Sequence, residues 1–112
     1  MKKLEIIIKP EKLEQLKNIL TDSHATGVMI SNVMGYGNQN GYKQMYRGTE
    51  YTVNLLPKLK VETVVAEDAA DSIVERIVAE ITTGTHGDGK IFIYDVQDAV
   101  RIRTGERGEE AL

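Results

Sequence analysis

A glycine-rich stretch at residues 84–91, with the sequence GTHGDGKI, carries residue types that readily bind an anion. Gly84, Gly89 and Lys90 have the spacing of the phosphate-binding P-loop. Ile91, however, stands where that motif places the Ser or Thr that holds Mg²⁺, and a strand pattern follows where a helix is needed. The stretch is therefore not a P-loop, but its glycines let backbone N–H groups approach a phosphate and its lysine adds positive charge. A tight helix-to-strand turn that needs positive φ is the open alternative.

A pair of arginines near the end of the chain, Arg101 and Arg103, offers a second anion-binding feature. Side chains two residues apart point to the same side of an extended chain, so both guanidinium groups can converge on one polyanion. Two exposed surface arginines are the alternative. The residues that follow, 104–110, are polar and are predicted to be mobile.

The stretch 37–54 has the least core-like composition in the chain and combines tyrosines with an arginine in the sequence YRGTEY at 46–51. Structureless segments longer than about 12 to 15 residues are uncommon in compact domains and are usually functional or disordered. Tyr and Arg are favoured anchors in protein interfaces. We predict an irregular partner-binding loop, with a plain β-hairpin as the alternative, and Tyr51 is either a modification site or a docking aromatic.

Hydrophobic periodicity predicts the elements that position these residues. Alternation predicts strands, and a repeat of three and four predicts helices. Pro10 opens the first helix, and Asp68 is the predicted N-cap of the second, whose termination is assigned to Gly84. The predicted elements are a strand at 3–9, a helix at 10–22, a strand at 28–35, a strand at 59–65, a helix at 68–81 and a strand at 90–96.

The two halves both read strand, helix, strand. This pattern predicts an α+β, ferredoxin-like double βαβ fold with a four-stranded antiparallel sheet, both helices on one face and a long loop between strands 2 and 3. The first and last strands carry apolar residues on both sides. We therefore expect a second copy of the chain to cover the open face of the sheet, with a monomer as the alternative.

Length and composition restrict the class of protein. The 112 residues make one domain, and a net charge of −3 disfavours nucleic acid as a partner. The absence of Cys excludes disulfides and a thiol nucleophile, and two His are too few for a typical zinc site. No apolar run approaches the roughly 20 residues that span a bilayer, so we expect a cytoplasmic protein.

The stretches 83–93 and 46–51, taken together, resemble the nitrogen-regulatory PII signal-transduction proteins. Residues 8–10 (IKP) and 101–106 (RIRTGE) are similar to that family too, and the resemblance covers the whole chain. It implies a single PII-like domain over 1–112. Within that domain it implies a target-binding loop at 37–55, a phosphate-binding loop at 82–90 and a C-terminal segment at 101–112.

The resemblance further implies a homotrimer that binds ATP or ADP in the clefts between subunits. By position it assigns phosphate contacts to the glycine-rich loop and the two arginines, and nucleoside contacts to residues of the sheet. Gly27, Val28 and Met29 would come from the adjoining subunit. The other implied nucleotide-binding residues are Ile7, Gly35, Gly37, Asn38, Gln39, Glu62, Val64, Gly87, Asp88, Gly89, Lys90, Arg101 and Arg103.

Many members of the family bind Mg²⁺-ATP together with 2-oxoglutarate. Gln39 matches the metal ligand that also contacts the acid, and Lys58 matches the lysine that pairs with it. Asn38 and Asn40, however, stand where the family usually has basic residues. Because a lost charge-assisted contact costs about 1 to 3 kcal/mol, we expect adenine-nucleotide binding and leave 2-oxoglutarate sensing open.

The function implied by the resemblance is that of a non-catalytic sensor whose nucleotide state changes the long loop. The loop would bind nitrogen-metabolism targets, such as a membrane ammonium transporter, through Tyr46, Arg47, Gly48 and Tyr51, and Tyr51 would be nucleotidylated in some contexts. A small phosphohydrolase is the alternative, although no nucleophile and base pair is evident and only Asp88 or Glu62 could position water. An RNA-binding sheet is disfavoured because the basic-aromatic signature is absent.

Overall fold

The computed structural model describes residues 1–36 and 55–112 in full, and the backbone of 42–46 and 49–53. Six strands and two α-helices are present in the described part of the chain, with a short 3₁₀ helix at Pro10–Lys12 and another at Gly108–Ala111. In chain order the strands and α-helices are β1 (Lys2–Ile8), α1 (Leu13–Asp22), β2 (Val28–Gly35), β3 (Tyr42–Tyr46), β4 (Thr49–Val53), β5 (Leu56–Val65), α2 (Glu67–Glu80) and β6 (Lys90–Asp95).

Four of the strands form one sheet in the order β2-β5-β1-β6, and every neighbouring pair is antiparallel. β1 and β2 are therefore parallel to each other with β5 between them, and β5 and β6 are parallel with β1 between them. This is the double βαβ arrangement, so the predicted ferredoxin-like α+β class is confirmed.

The core lies between one face of this sheet and the two helices. Alternate residues of β1 and β5 point toward the helices, and the apolar stripes of α1 and α2 point back at the sheet. This arrangement confirms that both helices lie on one face. The buried residues are Leu4, Ile6, Ile8, Leu16, Ile19, Leu20, Leu59, Val61, Val65, Ala70, Ile73, Ile77 and Ile81.

The open face of the sheet mixes charged and apolar side chains. Lys3 Nζ lies 2.9 Å from Glu62 Oε2, and Lys60 Nζ lies 3.9 Å from Glu5 Oε1. The Lys3 ammonium also sits over the ring of Tyr94. The edge strands leave further apolar side chains exposed, and this is the pattern expected for a sheet that another chain covers. The exposed large apolar residues of the edge strands are Val28, Met29, Ile30, Met34, Phe92, Ile93 and Tyr94.

Two helix boundaries differ from the prediction. α2 begins at Glu67 with extended Ala66 as its N-cap, so the prediction of Asp68 as the N-cap is wrong. The Asp68 carboxylate instead accepts a hydrogen bond from the amide of Ala69 within the first turn. α2 ends at Glu80, well before Gly84. Within the described ranges, no helix is long and apolar enough to cross a membrane.

The long connection between β2 and β5 contains regular structure. β3 and β4 pair antiparallel from Tyr42 opposite Val53 to Tyr46 opposite Thr49, as a sheet separate from the main one. The irregular loop predicted for this stretch is thus replaced by the hairpin alternative. β5 also begins earlier than predicted, at Leu56. Pro57 is tolerated there because β1 pairs with β5 only as far as Leu59, so this end of β5 has β2 as its one partner in the main sheet.

The C-terminal segment is held by hydrogen bonds and does not have the mobile character predicted for it. The Arg101 amide donates to Glu106 O at 2.9 Å, and the Gly105 amide donates to Arg101 O at 2.7 Å. Residues 102–104 form a turn, so Arg101 and Arg103 are not two apart on an extended strand. The extended geometry was therefore the wrong basis for placing both guanidinium groups on one side.

A glycine-rich loop organised by Asp88

The loop between α2 and β6 is built around the carboxylate of Asp88. Oδ2 accepts hydrogen bonds from the amides of Thr83 at 2.7 Å and Gly84 at 2.9 Å, and from the Thr82 hydroxyl at 3.2 Å. Oδ1 accepts from the hydroxyls of Thr83 and Thr85. One side chain therefore fixes four consecutive residues of the loop.

These contacts stabilise the ionised form of Asp88. The Thr83 hydroxyl and amide are the main cause, with the Gly84 amide adding to them, and together they hold the pKa of the carboxyl well below its usual range. Lys9 Nζ lies 4.0 Å from Oδ1 and adds a positive charge from the end of β1. Asp88 is consequently an anion that is already fully occupied by donors of its own loop.

The end of the loop is pressed against β1. Gly89 has φ +114°, and a Cβ built on it would lie 1.8 Å from the carbonyl oxygen of Ile7. No side chain fits there, because the backbone of the loop and the backbone of the strand are nearly in contact. Lys90 then pairs with Ile7 in the sheet, so the register carries the loop directly into β6.

A cleft opens beside this junction, between α2 and the edge strand β6. Asp88, Gly89, Lys90 and Ile7 all line it, so four of the residues assigned to the nucleotide meet in one place. Its other walls are apolar and come from β1, β6 and one face of α2. Those walls are Ile6, Ile8, Val74, Ile77, Val78, Ile81, Ile91 and Ile93, with Thr82 at the rim.

A second cleft lies at the opposite end of β1 and holds another part of the assigned set. Gly27, Met29, Glu62 and Val64 line it, together with the chain end at Ala111 and Leu112. The hydrogen bond from Lys3 lowers the pKa of the Glu62 carboxyl. Within one protomer, therefore, the assigned nucleoside residues are divided between two separate clefts.

The two assigned arginines lie in the C-terminal turn and line neither cleft. The Arg101 guanidinium donates to Glu106 Oε1 at 2.9 Å and to Leu112 O at 3.0 Å, which places it beside the second cleft. Arg103 is exposed. Glu106 follows closely after Arg101 in the sequence, so this ion pair could have been predicted. Our sequence interpretation did not consider it.

Lys58 connects the start of β5 with the glycine-rich loop. Its side chain is buried, and Nζ donates to the carbonyl oxygen of Gly87 at 2.8 Å. Burial, reinforced by the nearby charge of Lys9, lowers the pKa of this ammonium. A third cleft adjoins it, with His86 and Thr85 on the loop side and Pro57 on the strand side.

Several predicted site residues fall outside the described part of the chain. For Gly37, Asn38, Gln39, Asn40, Arg47 and Gly48 nothing is described, and for Tyr46 and Tyr51 only the backbone of the hairpin is described. The roles assigned to them therefore stay predictions. Of the remaining assigned residues, Val28 begins β2 and Gly35 ends it opposite Leu56.

Sequence interpretation missed the threonines at 82, 83 and 85 and the contribution of Lys9. The threonines were visible as a cluster of hydroxyls within six residues of an aspartate, a spacing typical of local side-chain to backbone bonding. Lys9 reaches Asp88 from the other end of the sequence, and only the fold places the two together.

Comparison with known proteins gives a consistent result. The sequence model of the family described as Nitrogen regulatory protein P-II matches residues 1–106. Proteins named Nitrogen regulatory protein P-II from Rhizobium etli and Pasteurella multocida are 51% and 48% identical over 112 residues, covering 100% of each chain. The solved structure described as "Structure of B. subtilis GlnK" has a TM-score of 0.80 at 39% identity, covering 99% of this chain and 97% of that one.

Proposed function

Because the chain belongs to the nitrogen regulatory protein P-II family, we propose that it is a non-catalytic signalling protein that binds ATP or ADP and regulates proteins of nitrogen metabolism. The observation that carries the proposal is the glycine-rich loop. Its backbone is held open at Gly87 and Gly89 by positive φ, and Lys90 stands next to it on the rim of an apolar cleft. Backbone N–H groups, one lysine and apolar walls suit a phosphate tail attached to a flat base.

We further propose that the binding site is completed by a second copy of the chain in a homotrimer. The division of the assigned residues between two clefts supports this, since neither cleft alone holds both the phosphate loop and the Gly27–Met29 segment. The apolar side chains left exposed on both edge strands support it too, because a neighbouring protomer would bury them.

The route from ligand to target in this proposal runs through Lys58. β5 follows directly on the long connection that contains β3 and β4, and Lys58 near its start bonds to Gly87 O in the phosphate loop. A ligand that moves the phosphate loop therefore acts on the base of the hairpin. The hairpin, with Tyr46, Arg47, Gly48 and Tyr51, is the proposed docking element, and an ammonium transporter is the proposed membrane target.

Mg²⁺ and 2-oxoglutarate are proposed as further ligands near the same place. Lys58 is buried beside a cleft that also contains Lys9, and two ammonium groups there suit a dicarboxylate. Gln39, the proposed Mg²⁺ ligand, is outside the described residues. Asn38 and Asn40 reduce the positive charge that this ligand pair would meet, so we expect weaker binding of the acid than with basic residues at those positions.

The first prediction concerns Lys90. In native protein, ATP or ADP at about 100 times its Kd should stabilise the fold by about 2.7 kcal/mol, and a tenfold loss of affinity reduces that to about 1.4 kcal/mol. We expect Lys90→Ala to lose at least tenfold, because the charge-assisted contact to phosphate is gone. Thermal denaturation with and without nucleotide measures it. Lys17→Ala, which removes an exposed lysine of α1, is the matched control and should keep the full shift.

An equal nucleotide-dependent stabilisation in Lys90→Ala and Lys17→Ala would remove Lys90 from the proposed site. No nucleotide-dependent stabilisation of the native protein would overturn nucleotide binding itself.

The phosphohydrolase alternative is tested in the same samples by phosphate release. Steady multiple turnover at about 1 s⁻¹ or faster, a usual enzymatic rate, would contradict a non-catalytic role.

The second prediction separates Lys58 from its neighbour on the strand. If 2-oxoglutarate binds at Lys58, calorimetry with Mg²⁺-ATP should show that the acid tightens ATP binding, and that Lys58→Ala abolishes this coupling. Lys60→Ala is the control, because Lys60 faces the open side of the sheet and pairs with Glu5. If the acid leaves ATP affinity unchanged in native protein, the chain does not sense 2-oxoglutarate.

A further inference from the structure

Resting on the proposed binding of nucleotide, we propose that Asp88 is a positioning residue that shapes the phosphate loop from within and does not itself contact the ligand. The resemblance of the sequence assigns Asp88 to the phosphate site as a whole. In the structure its carboxylate bonds the amides of Thr83 and Gly84, and Asp88, Gly89 and Lys90 all line the cleft.

The donors around the carboxylate leave little room for a ligand. Two amides and the hydroxyls of Thr82 and Thr83 donate to its two oxygens. The Thr85 hydroxyl lies 3.3 Å from Oδ1 and 2.8 Å from Thr83 Oγ1, so the two oxygens share its one hydrogen. A carboxylate has about four lone-pair sites, so these contacts occupy its accepting capacity. A phosphate offers only acceptors and negative charge at neutral pH, and it would be repelled by this group.

The same contacts decide which parts of the loop remain for phosphate. The amides of Thr83 and Gly84 are bound to Asp88, which folds the start of the loop back on itself. The end of the loop then continues through Gly87 and Gly89, whose φ values are +95° and +114°. The amides of Thr83 and Gly84 are thereby unavailable to a phosphate.

The loop is also attached to the sheet on both sides of Asp88. Lys58 holds the carbonyl oxygen of Gly87, and the backbone of Gly89 packs against Ile7. The Asp88 carboxylate holds the start of the loop through its hydrogen bonds from Thr83. Loss of the carboxylate would therefore release the start of the loop while the sheet and the core stay in place.

The variant Asp88→Asn gives a test in which the sign of the effect is informative. In this variant an NH₂ group replaces one of the two carboxylate oxygens. The amides and hydroxyls that donated to that oxygen lose their acceptor and face N–H groups instead. As a positioning residue, Asp88 should show at least about a tenfold loss of ATP and ADP affinity in this variant. If the carboxylate simply faced the phosphates, removing its charge would tighten binding, and that result would overturn the proposal.

Calorimetry with ATP in the presence and absence of Mg²⁺ tests whether Asp88 acts through the metal ion. We expect the same loss under both conditions, whereas a loss confined to Mg²⁺-ATP would assign Asp88 to the metal and contradict the proposal. The melting temperature of the nucleotide-free variant should stay close to native. Amide exchange at Thr83 and Gly84 should accelerate, a change that a general destabilisation of the protein would not confine to these two residues.

A second pair of variants keeps the test valid if Asp88→Asn does not fold. Thr83→Val removes one hydroxyl donor and should lower nucleotide affinity in the same direction, and Thr83→Ser, which keeps the hydroxyl, should restore it. Native affinity in Thr83→Val would count against the proposal. Failure of the native protein to bind ATP or ADP would instead contradict the proposed function, so the two failures are distinguishable.

Discussion

At the residue scale, the backbone of Gly89 lies close against the backbone of Ile7. A Cβ at position 89 would overlap the Ile7 carbonyl oxygen, and φ +114° is strained for any residue with a side chain. By contrast, Gly105 has φ +75°, and a Cβ added there would have no other atom within 4 Å, so only the backbone strain applies. Substitutions at the two glycines therefore separate the cost of a strained backbone from the cost of steric overlap.

The third prediction uses this difference. We expect Gly105→Ala to lower the free energy of unfolding by about 1 kcal/mol, from the left-handed conformation alone. Gly89→Ala should lower it by about 2 kcal/mol more, because the overlap forces the loop away from β1. Urea denaturation of nucleotide-free protein measures both. Equal losses in the two variants would mean that the loop does not press against the strand.

Residue types alone predicted part of the site. Glycines beside Lys90 indicated a phosphate loop, with a tight turn as the open alternative, and the structure brings this lysine to a cleft with Ile7. The sequence did not predict the arrangement of Arg101 and Arg103, because their orientation depends on a turn at 102–104 that is specified by hydrogen bonds between residues farther apart. Short-range chemistry was predictable, and the direction in which side chains point was not.

At the element scale, the hairpin of β3 and β4 forms its own two-stranded sheet, and its base joins β2 and β5 of the main sheet. An isolated two-stranded hairpin is at best marginally stable in water. Every core residue that the structure describes lies outside 37–54. We therefore expect a change of conformation in the hairpin to leave this described core in place.

The fourth prediction is that deletion of residues 42–53 preserves folding and nucleotide binding. The deletion removes both strands of the hairpin, from Tyr42 to its partner Val53. The melting temperature and its shift with ATP should stay at the native values, while binding to a detergent-solubilised ammonium transporter should be lost. Arg47→Ala is the milder variant for the same assay.

A loss of nucleotide stabilisation on deletion would place the hairpin in the nucleotide site, contrary to the proposed separation of docking element and ligand site.

Hydrophobic periodicity located the main elements well, since long alternating and helical patterns report burial directly. It failed in the hairpin, where polar residues mixed with tyrosines hide the alternation, and at the start of β5, where Pro57 was read as a break.

At the scale of the whole molecule, the sheet has two unlike edges and one open face. β2 exposes Met29 and Ile30, β6 exposes Ile93, and the open face carries Phe92 and Tyr94. The antiparallel sheet and its bare face followed from the strand, helix, strand repeat, because handedness and connection rules leave few arrangements of two such units. The number of copies that cover the face depends on shape, which the repeat does not specify.

The fifth prediction is that the native protein sediments with about three times the 12.5 kDa mass of one chain. Phe92→Asp should dissociate it to single chains, because the new carboxylate lies opposite Glu5 on the face that neighbours would cover. Asn18→Asp, which adds the same charge on the exposed side of α1, should leave the mass unchanged. A native protein that sediments as one chain would overturn the trimer.

The ion pairs on the bare sheet also affect the newly synthesised chain before it meets any other copy. Lys3 with Glu62 and Lys60 with Glu5 interrupt the apolar side chains of that surface. An uninterrupted apolar surface would associate with any unfolded chain near the ribosome. A surface interrupted by charged residues associates only with a surface that carries complementary charges. If the proposed trimer forms, we expect these charges to reduce aggregation of single chains before assembly.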